Sequence, residues 1–364
     1  MSWRYYLQAL PSREWIDKDL PLTSVQVTTA CNAPASISGN VPVEYGQLKL
    51  EDGSLAVREW GCLLVAEQDG HDPVVGIVDL VKLDGESLRL EAGGFTMYPT
   101  GTPWTGPDFA GVQVDPLDMV RKIWDHLQSF PDGDLGVVVD ATTSPVRIGK
   151  PEETTEFTTS GGDDVSFESG PFRLARWTTD DLGKTIADLA EATPFQYQEH
   201  TTWDGEDLTH RLQLGYKTIG TRKHNLRFEI GVNVTATPAI EEGDYASEVL
   251  MFGTGEGRKK VAAQVTKQTG RLRRVHVETD KALTSKRAAT DAARPILNAL
   301  AGGYRIDSLE VIEHESAPFG AFGPGDEIRV QGDAGWADLD TWVRIDEMTK
   351  DADTGGMSLK VVTV

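Results

Sequence analysis

Three Asp-Gly pairs divide the first hundred residues, and they constrain the fold more than any other feature of the chain. They are Asp52-Gly53, Asp69-Gly70 and Asp84-Gly85, and each lies between apolar-rich segments such as LAVREWGCLLVAE and VVGIVDLVKL. An Asp-Gly pair supplies the positive φ angles that a tight hairpin turn requires. Three such turns, with about 15 residues between them, predict an antiparallel meander long enough to curl into a barrel or sandwich.

A helix is predicted where this pattern changes, in VDPLDMVRKIWDHLQSF. Asp115 can cap the helix, Pro116 suits its first position, and Asp118 favours its positive end. Apolar side chains then recur at helical spacing, at Leu117, Val120, Trp124 and Leu127. The strand LGVVVD follows after Pro131, Asp132 and Gly133.

Two more helices are predicted in the rest of the chain, with strands at LTHRLQLGYK and NLRFEIGVNVTAT and in most of the segment after residue 236. Residues 151–170 contain six acids and no Lys or Arg, which indicates an exposed loop. A helix is predicted at 180–192 with Thr179 as its cap. Another is predicted at 284–301, bent by Pro295 and stopped by Gly302-Gly303.

This layout predicts a mainly β fold with an α+β middle. Two β-barrel-like domains, residues 1–114 and 236–364, would flank a mixed α/β domain at residues 115–235. The second barrel-like domain would carry the helix at 284–301 as an insertion.

The charge balance and the cysteines narrow the function classes. The formal net charge is −22, so the surface repels nucleic acid and anionic membranes overall. Cys31 and Cys62 are expected to be buried small apolar residues, with a single disulfide as the alternative. The N-terminus lacks a secretory pattern, and no stretch approaches the roughly 18 apolar residues of a membrane span. We therefore expect synthesis in a cytoplasm and no stable membrane insertion.

The stretch MFGTGEGRKKVAAQV (251–265) resembles a phosphate loop but does not meet the requirements of one. In a Walker loop Ser or Thr follows the lysine, whereas Val261 follows Lys260 here. The glycines are also too closely spaced for a dinucleotide fingerprint, and the next residues alternate like a strand. We expect a loop between strands, and no cofactor.

The residue pattern does not identify a catalytic or metal site. The seven histidines form neither H-E-x-x-H nor H-x-H, and no G-x-S-x-G elbow occurs. Carboxylates are abundant enough for a pair that cleaves glycosides, but the pattern does not single out such a pair. We therefore expect a protein that is not an enzyme.

Charge segregation is the most informative remaining feature. Residues 258–294 carry eleven Lys or Arg against three acids, a local charge of +8 that leaves −30 for the rest of the chain. This basic segment is either a solvated face or a surface that meets the acidic surface of a neighbouring subunit. Nucleic-acid binding is a weaker alternative, because interleaved aromatics are absent. The candidate interface residues are Arg258, Lys259, Lys260, Arg271, Arg273 and Arg274.

Two stretches resemble a known family. One is REWGCLLVAEQDG (58–70), continued by LRLEAGGFTMYPTGTPW (88–104) and VQVDPLDMVRKIWDHLQSFPDGDLGVVVDATTSPVRIG (112–149). The other is the order strand, GTGEGR loop, strand, DKALTSKRAATDAARPIL helix and FGPGDEIRV. They resemble the minor tail proteins of long-tailed phages that infect actinobacteria, which are related in architecture to baseplate hub proteins.

The resemblance implies a structural role at the tail tip of a virion. Hub proteins of this kind are homotrimers in which two barrel-like domains per subunit build a ring of pseudo-sixfold symmetry. Such a ring would join the distal tail protein and tail tube to tip components, near the end of the tape-measure protein. DNA would pass through the acidic lumen without specific binding. No catalytic residues carry over from the family.

Two rival functions stay open. A tail protein that binds host-surface carbohydrate would need exposed aromatic platforms, for which Trp3, Trp15, Trp104, Trp203 and Trp336 are candidates. A hydrolase of the host cell envelope is the other rival.

Overall fold

The computed structural model describes residues 2–158, 164–242, 244–255, 257–281, 283–301, 304–335 and 337–364. The chain divides into two compact units. Unit 1 comprises Met1–Arg222, Pro318–Asp326 and Asp346–Ser358, and unit 2 comprises Lys223–Ala317, Glu327–Ile345 and Leu359–Val364. The three-domain division at 114/115 and 235/236 stays a prediction.

The first sixteen elements belong to unit 1. They are β1 (Trp3–Ala9), β2 (Trp15–Asp17), β3 (Thr23–Ala30), β4 (Ser36–Pro42), β5 (Cys62–Gln68), β6 (Val74–Asp84), β7 (Ser87–Gly93), β8 (Phe109–Gly111), α1 (Pro116–Gln128), β9 (Val137–Val139), β10 (Glu153–Thr158), β11 (Asp164–Ser169), β12 (Phe172–Leu174), α2 (Leu182–Ala192), β13 (Phe195–Asp204) and β14 (Asp207–Tyr216).

The later elements belong mainly to unit 2. They are β15 (Phe228–Glu229), β16 (Ile240–Glu242), β17 (Glu248–Phe252), β18 (Ala262–Thr266), β19 (Val275–Thr279), α3 (Lys286–Leu300), β20 (Tyr304–Ile306), β21 (Ser308–Val311), β22 (Glu327–Asp333), β23 (Asp338–Asp351) and β24 (Met357–Thr363). Strands β23 and β24 each contribute residues to both units. The prediction of a mainly β chain with an α+β middle is confirmed.

The antiparallel meander predicted from the Asp-Gly pairs is present in unit 1. Strands β5, β6 and β7 pair consecutively, and Asp84 pairs with Ser87 across the turn at Gly85, where φ is +62°. Gly70 also has a positive φ, +82°, between β5 and β6. The first pair, Asp52-Gly53, differs from the prediction, because it turns the chain only between the isolated bridge partners Lys49 and Leu55.

Strand β5 lies between two hydrophobic cores of unit 1. Cys62, Leu64 and Ala66 belong to a core shared with β1, β3, β4, β6 and β7. Leu63 and Val65 belong to a second core that includes α1, α2 and the sheet β13–β14–β9. Because successive strand residues point to opposite faces, β5 is buried on both sides and its sequence reads as a continuous apolar run.

The two helices of unit 1 have well-defined starts. The Asp115 carboxylate accepts from the backbone N–H of Leu117 at 3.0 Å, and Pro116 opens α1, so the predicted cap is confirmed. Helix α2 is capped by Asp181, not Thr179, and the Asp181 carboxylate accepts from the Lys184 N–H at 2.9 Å. Thr179 is buried before the helix begins, where its backbone carbonyl accepts from Trp104.

Two predictions from the middle of the chain are corrected. The acidic stretch 151–170, predicted as a loop, contains the antiparallel pair β10–β11 in its described backbone. Strand β13 was missed because FQYQEHTTWD is polar. It pairs along its length with β14 around the turn at Gly205, where φ is +67°, so the Asp204-Gly205 pair was the available signal.

The described residues of unit 2 include two groups of buried apolar side chains. In one, buried side chains of β15, β22 and β23 lie together, including Phe228, Ile328 and Val343. The other lies between α3 and the three-stranded sheet β18–β17–β19. The Ser285 hydroxyl caps α3 by accepting from the Ala288 N–H at 3.2 Å, and Pro295 lies within this helix. The predicted stop at Gly302-Gly303 lies outside the described residues.

Cys31 and Cys62 are not joined by a disulfide. Cys62 is fully buried as expected, and burial raises the pKa of its thiol to about 11. Cys31 is half-buried. Within the described ranges, none of the helices has the length and apolar character needed to cross a membrane.

Candidate interaction surface in the basic segment

The basic segment folds as part of a small two-layer structure in unit 2. Strand β17 pairs antiparallel with β18 and parallel with β19. Helix α3 packs on one face of this sheet through a cluster whose buried members are Val249, Met251, Ala263, Ala289, Ala293 and Leu297. The two helical alanines in this cluster let the helix backbone approach β17 and β18 closely.

The glycine stretch forms the loop that connects β17 to β18, called the glycine loop below. Backbone hydrogen bonds close it, from Gly253 N–H to the Val261 carbonyl and from Val261 N–H to the Thr254 carbonyl, both at 2.8 Å. A Cβ on Gly253 would lie 2.3 Å from the Leu283 carbonyl oxygen, and Gly255 has a φ of +102°. Glycine is therefore required by close approach and by backbone conformation. Strand β18 follows this loop.

The cations of this loop lie at one end of the three-stranded sheet. Lys259 is exposed, and the Lys260 ammonium lies 4.6 Å from the ring centroid of Phe252. The Arg258 side chain is outside the described part of the structure. The loop thus presents Lys259 to solvent and holds Lys260 against an aromatic ring.

The cations before β19 lie at the opposite end of the same sheet. Arg271 lies over the Tyr245 ring at 5.2 Å, and the backbone N–H of Arg274 donates to the Ser247 hydroxyl at 3.1 Å. Because β19 runs parallel to β17, this end adjoins Glu248, whereas the glycine loop adjoins Phe252. Four residues of strand separate the ends by about 13 Å. The structure therefore does not bring the six predicted residues into one cluster.

Arg273 has a structural partner. Its Nε and Nη2 donate to the two carboxylate oxygens of Glu248, both at 2.8 Å, and Gln264 donates to the same carboxylate at 2.7 Å. The Glu248 side chain is only 5% exposed, and the arginine hydrogen bonds lower its pKa. Arg273 thus neutralises a carboxylate of its own sheet.

Strand β19 is one of the two edge strands of this sheet, and its apolar side chains are exposed. The side chains of Val275 and Val277 are 39% and 56% exposed, and Leu272 in the preceding turn is 89% exposed. These apolar side chains adjoin Arg271 and Arg274. Their exposure was not predicted, because an alternating segment such as RLRRVHVET looks the same at an edge and at the centre of a sheet.

The candidate aromatic platforms are mostly packed. Trp15 and Trp203 pack against Tyr6 with ring centroids 5.8 and 5.5 Å from the tyrosine ring, and Trp104 is 3% exposed. Trp336 lies outside the described residues. Trp3 lines a cavity of about 230 Å³ in unit 1, together with Gln68, His71, Asp72, His200 and Lys350.

Two buried titratable groups of unit 1, Glu199 and His210, have structural partners. The Glu199 carboxylate accepts from the Thr96 N–H at 2.5 Å, the Thr96 hydroxyl at 2.6 Å and the Ala35 N–H at 3.0 Å, while burial raises its pKa. His210 is buried and contacts the Thr201 hydroxyl at 3.0 Å, and burial lowers its pKa to about 4. Among the described residues, no group of three His, Cys, Asp or Glu is placed to hold a metal ion.

Comparison with known proteins places this fold among phage tail proteins. No family profile and no curated sequence matches the chain. Over 99% of this chain, the structure is similar to 98% of a 43 kDa tail protein of prophage MuSo2 from Shewanella oneidensis, with 14% identity and a TM-score of 0.52. A tail protein from Neisseria meningitidis MC58 is similar over 99% of this chain and 97% of its own, with 12% identity and a TM-score of 0.52.

A third similar structure is a type VI secretion component of Escherichia coli, described as structurally similar to the T4 bacteriophage tail proteins gp27 and gp5. It matches 98% of this chain and 76% of its own length, with 10% identity and a TM-score of 0.51. The structural neighbours are thus phage tail and hub-like proteins, and the chain has their fold.

Proposed function

We propose that this chain is a structural protein of the phage tail that forms a trimeric hub ring at the tail tip. The observation that carries this proposal is the extent of the structural likeness, which covers 99% of this chain and 98% of a prophage tail protein. A likeness over the whole chain supports a shared architecture, whereas a shared barrel alone would support only a common module.

The proposed ring connects the sixfold tail tube and distal tail protein to tip components, and surrounds the channel for DNA and the tape-measure C-terminus. The parent virion is a long-tailed phage of actinobacteria, and the protein is made and assembled in the host cytoplasm. The net charge of −22 supports a lumen along which DNA moves without adhering. The division into residues 1–114, 115–235 and 236–364 is part of this proposal.

Two measurements test the ring directly. They are the molar mass of the purified protein in solution, which distinguishes a trimer from a monomer, and electron-microscopy class averages. A threefold ring, and the same ring beneath the tail tube in virions, is the expected result. A protein that stays monomeric at high concentration and is absent from virions would overturn the proposal. Specific binding on an array of host-envelope glycans, lost in Trp3→Ala, would instead favour carbohydrate binding. Clearing of host wall material in a zymogram would favour the hydrolase.

The basic segment is proposed to face an acidic neighbouring subunit. Reversing the charges of the glycine loop, Arg258→Glu with Lys259→Glu and Lys260→Glu, should weaken ring assembly because the neighbour would then meet like charge. The matched control reverses three exposed lysines of unit 1, Lys18, Lys49 and Lys82, and changes the net charge equally. Equal assembly by the two triple variants would contradict a role for the loop.

A further inference from the structure

Strand β19 presents one complete backbone edge. The Asp280 N–H donates to the Phe252 carbonyl at 2.9 Å, and the Arg274 carbonyl accepts from the Ser247 N–H at 3.0 Å. Residues 274 and 280 therefore direct their peptide groups toward β17. Because peptide groups alternate sides along a strand, those of Val275, Val277 and Thr279 point away from β17. In the described part of the chain, β17 is the only strand that pairs with β19.

This edge has little of the protection that edge strands usually carry. Natural edges are blunted by lysine, proline, bulges or a covering element. The sequence of β19, VHVET, contains neither lysine nor proline and has one charged residue, Glu278, and helix α3 packs over β17 and β18. Val275 and Val277 instead offer exposed apolar surface next to the outward peptide groups. An edge of this kind is suited to receive another strand.

The charge around β19 indicates which strand it receives. Arg274 and Lys281 are exposed at the two ends of β19, within a segment of local charge +8, while the rest of the chain carries −30. A second copy of the chain therefore brings the complementary charge with it. We propose that the outer edge of β19 pairs with a β-strand from the acidic part of a second copy, extending the sheet β18–β17–β19 between subunits. This inference rests on the proposed self-assembling ring and names how its subunits join.

The alternation of peptide groups provides an internal control for the test. Residue-resolved hydrogen–deuterium exchange is measured on the full chain, at concentrations where it is oligomeric and at dilutions where it is monomeric. In the oligomer, the exchange rates of the Val275, Val277 and Thr279 amides should fall by about tenfold or more, because pairing protects these amides. The amides of His276 and Glu278 should change little, because they face β17 in both states.

A side-chain variant provides a second measurement. Val277→Lys places a charge at the paired edge and should weaken self-association by about tenfold or more. Because the Val277 side chain is already 56% exposed, the monomer should keep its fold, which circular dichroism checks. Thr266→Lys is the matched control, since Thr266 is exposed at the other edge of the sheet, on β18.

The possible outcomes separate this inference from the proposed function. A ring whose Val275, Val277 and Thr279 amides exchange as fast as in the monomer would overturn the edge pairing and leave the ring intact. The edge pairing between copies would also be wrong if protection and the effect of Val277→Lys appeared only with a different acidic protein. A chain that stays monomeric at every concentration would overturn both the edge pairing and the homotrimer.

Discussion

Strands β5 and β19 have similar lengths and opposite environments. In unit 1, β5 lies between paired neighbours and is buried on both faces, by the β-sheet core on one side and the helices on the other. In unit 2, β19 has one strand neighbour among the described residues, and its two valines are exposed. Burial of β5 has already contributed its free energy to folding, whereas the apolar surface of β19 is still available for association.

The comparison predicts that substitutions in the two units have different consequences. Unit 1 holds two large cores, and its buried Asp115 and Glu199 carboxylates are hydrogen-bonded within the unit. The sheet with α3 in unit 2 has a smaller core rich in alanine and places cations and apolar side chains at its surface. Substitutions in unit 1 should therefore change stability, while those at β19 should change assembly.

The largest effect is expected from the centre of the doubly buried strand. Leu64→Ala should lower the free energy of unfolding by about 2–5 kcal/mol, because it opens a cavity in the core that β5 shares with β1, β3, β4, β6 and β7. Val277→Ala should change it by about 0.5 kcal/mol or less. Hydrogen exchange of peptides from β5 and β19 in rising urea measures both. Equal losses of unfolding free energy in Leu64→Ala and Val277→Ala would contradict the contrast between β5 and β19.

A pH effect should follow from the buried histidine of unit 1. The pKa of His210 is about 4 in the folded chain against 6.5 when exposed, so below pH 6.5 the unfolded state binds more protons. Stability present above pH 6.5 should be lost as the pH falls toward 4, by on the order of 3 kcal/mol.

The pH prediction is checked by urea unfolding across that range. His210→Gln should reduce the loss of stability between pH 6.5 and pH 4, because a glutamine side chain does not titrate. His276→Gln, on the exposed strand β19, is the matched control for replacing a histidine by glutamine. If the slope of stability against pH is unchanged in His210→Gln, the loss of stability in acid comes from other groups.

A smaller effect than those of Leu64→Ala and His210→Gln is expected from the helix caps. Asp115→Ala removes the acceptor for Leu117 N–H and leaves the buried Ser144 N–H, 2.7 Å from the carboxylate, unpaired, which should cost about 2 kcal/mol. Ser285→Ala at α3 removes one exposed hydrogen bond and should cost about 1 kcal/mol or less. Thermal unfolding of the two variants measures the difference. A larger loss of stability from Ser285→Ala than from Asp115→Ala would contradict the expectation that substitutions in unit 1 have the larger effect on stability.

Local signals predicted the elements whose geometry depends on neighbouring residues. Gly70 and Gly85 adopt the positive φ that Asp-Gly turns require, and Asp115 with Pro116 opens α1. Errors occurred where a local signal was weak or shared. Thr179 and Asp181 are both good capping residues, and selection of Asp181 depends on Thr179 being buried in the core before the helix begins.

The candidate interface shows the same limit. The sequence identified a basic segment, and this is a property of composition alone. It could not separate the exposed Lys259 from Arg273, whose guanidinium is bound to Glu248, because that pairing depends on the register of β17 and β19.

By itself, the sequence determined the turns of the meander, the cap of α1, the mainly β character and the segregation of charge, because each arises from residues close along the chain. Only the tertiary structure decided that β5 is central and β19 an edge, and that the five candidate cations whose side chains are described fall at opposite ends of one sheet. Those outcomes depend on pairing between strands distant in sequence. A strand's own residues do not specify such pairing, because the same alternating pattern fits a buried centre and an exposed edge.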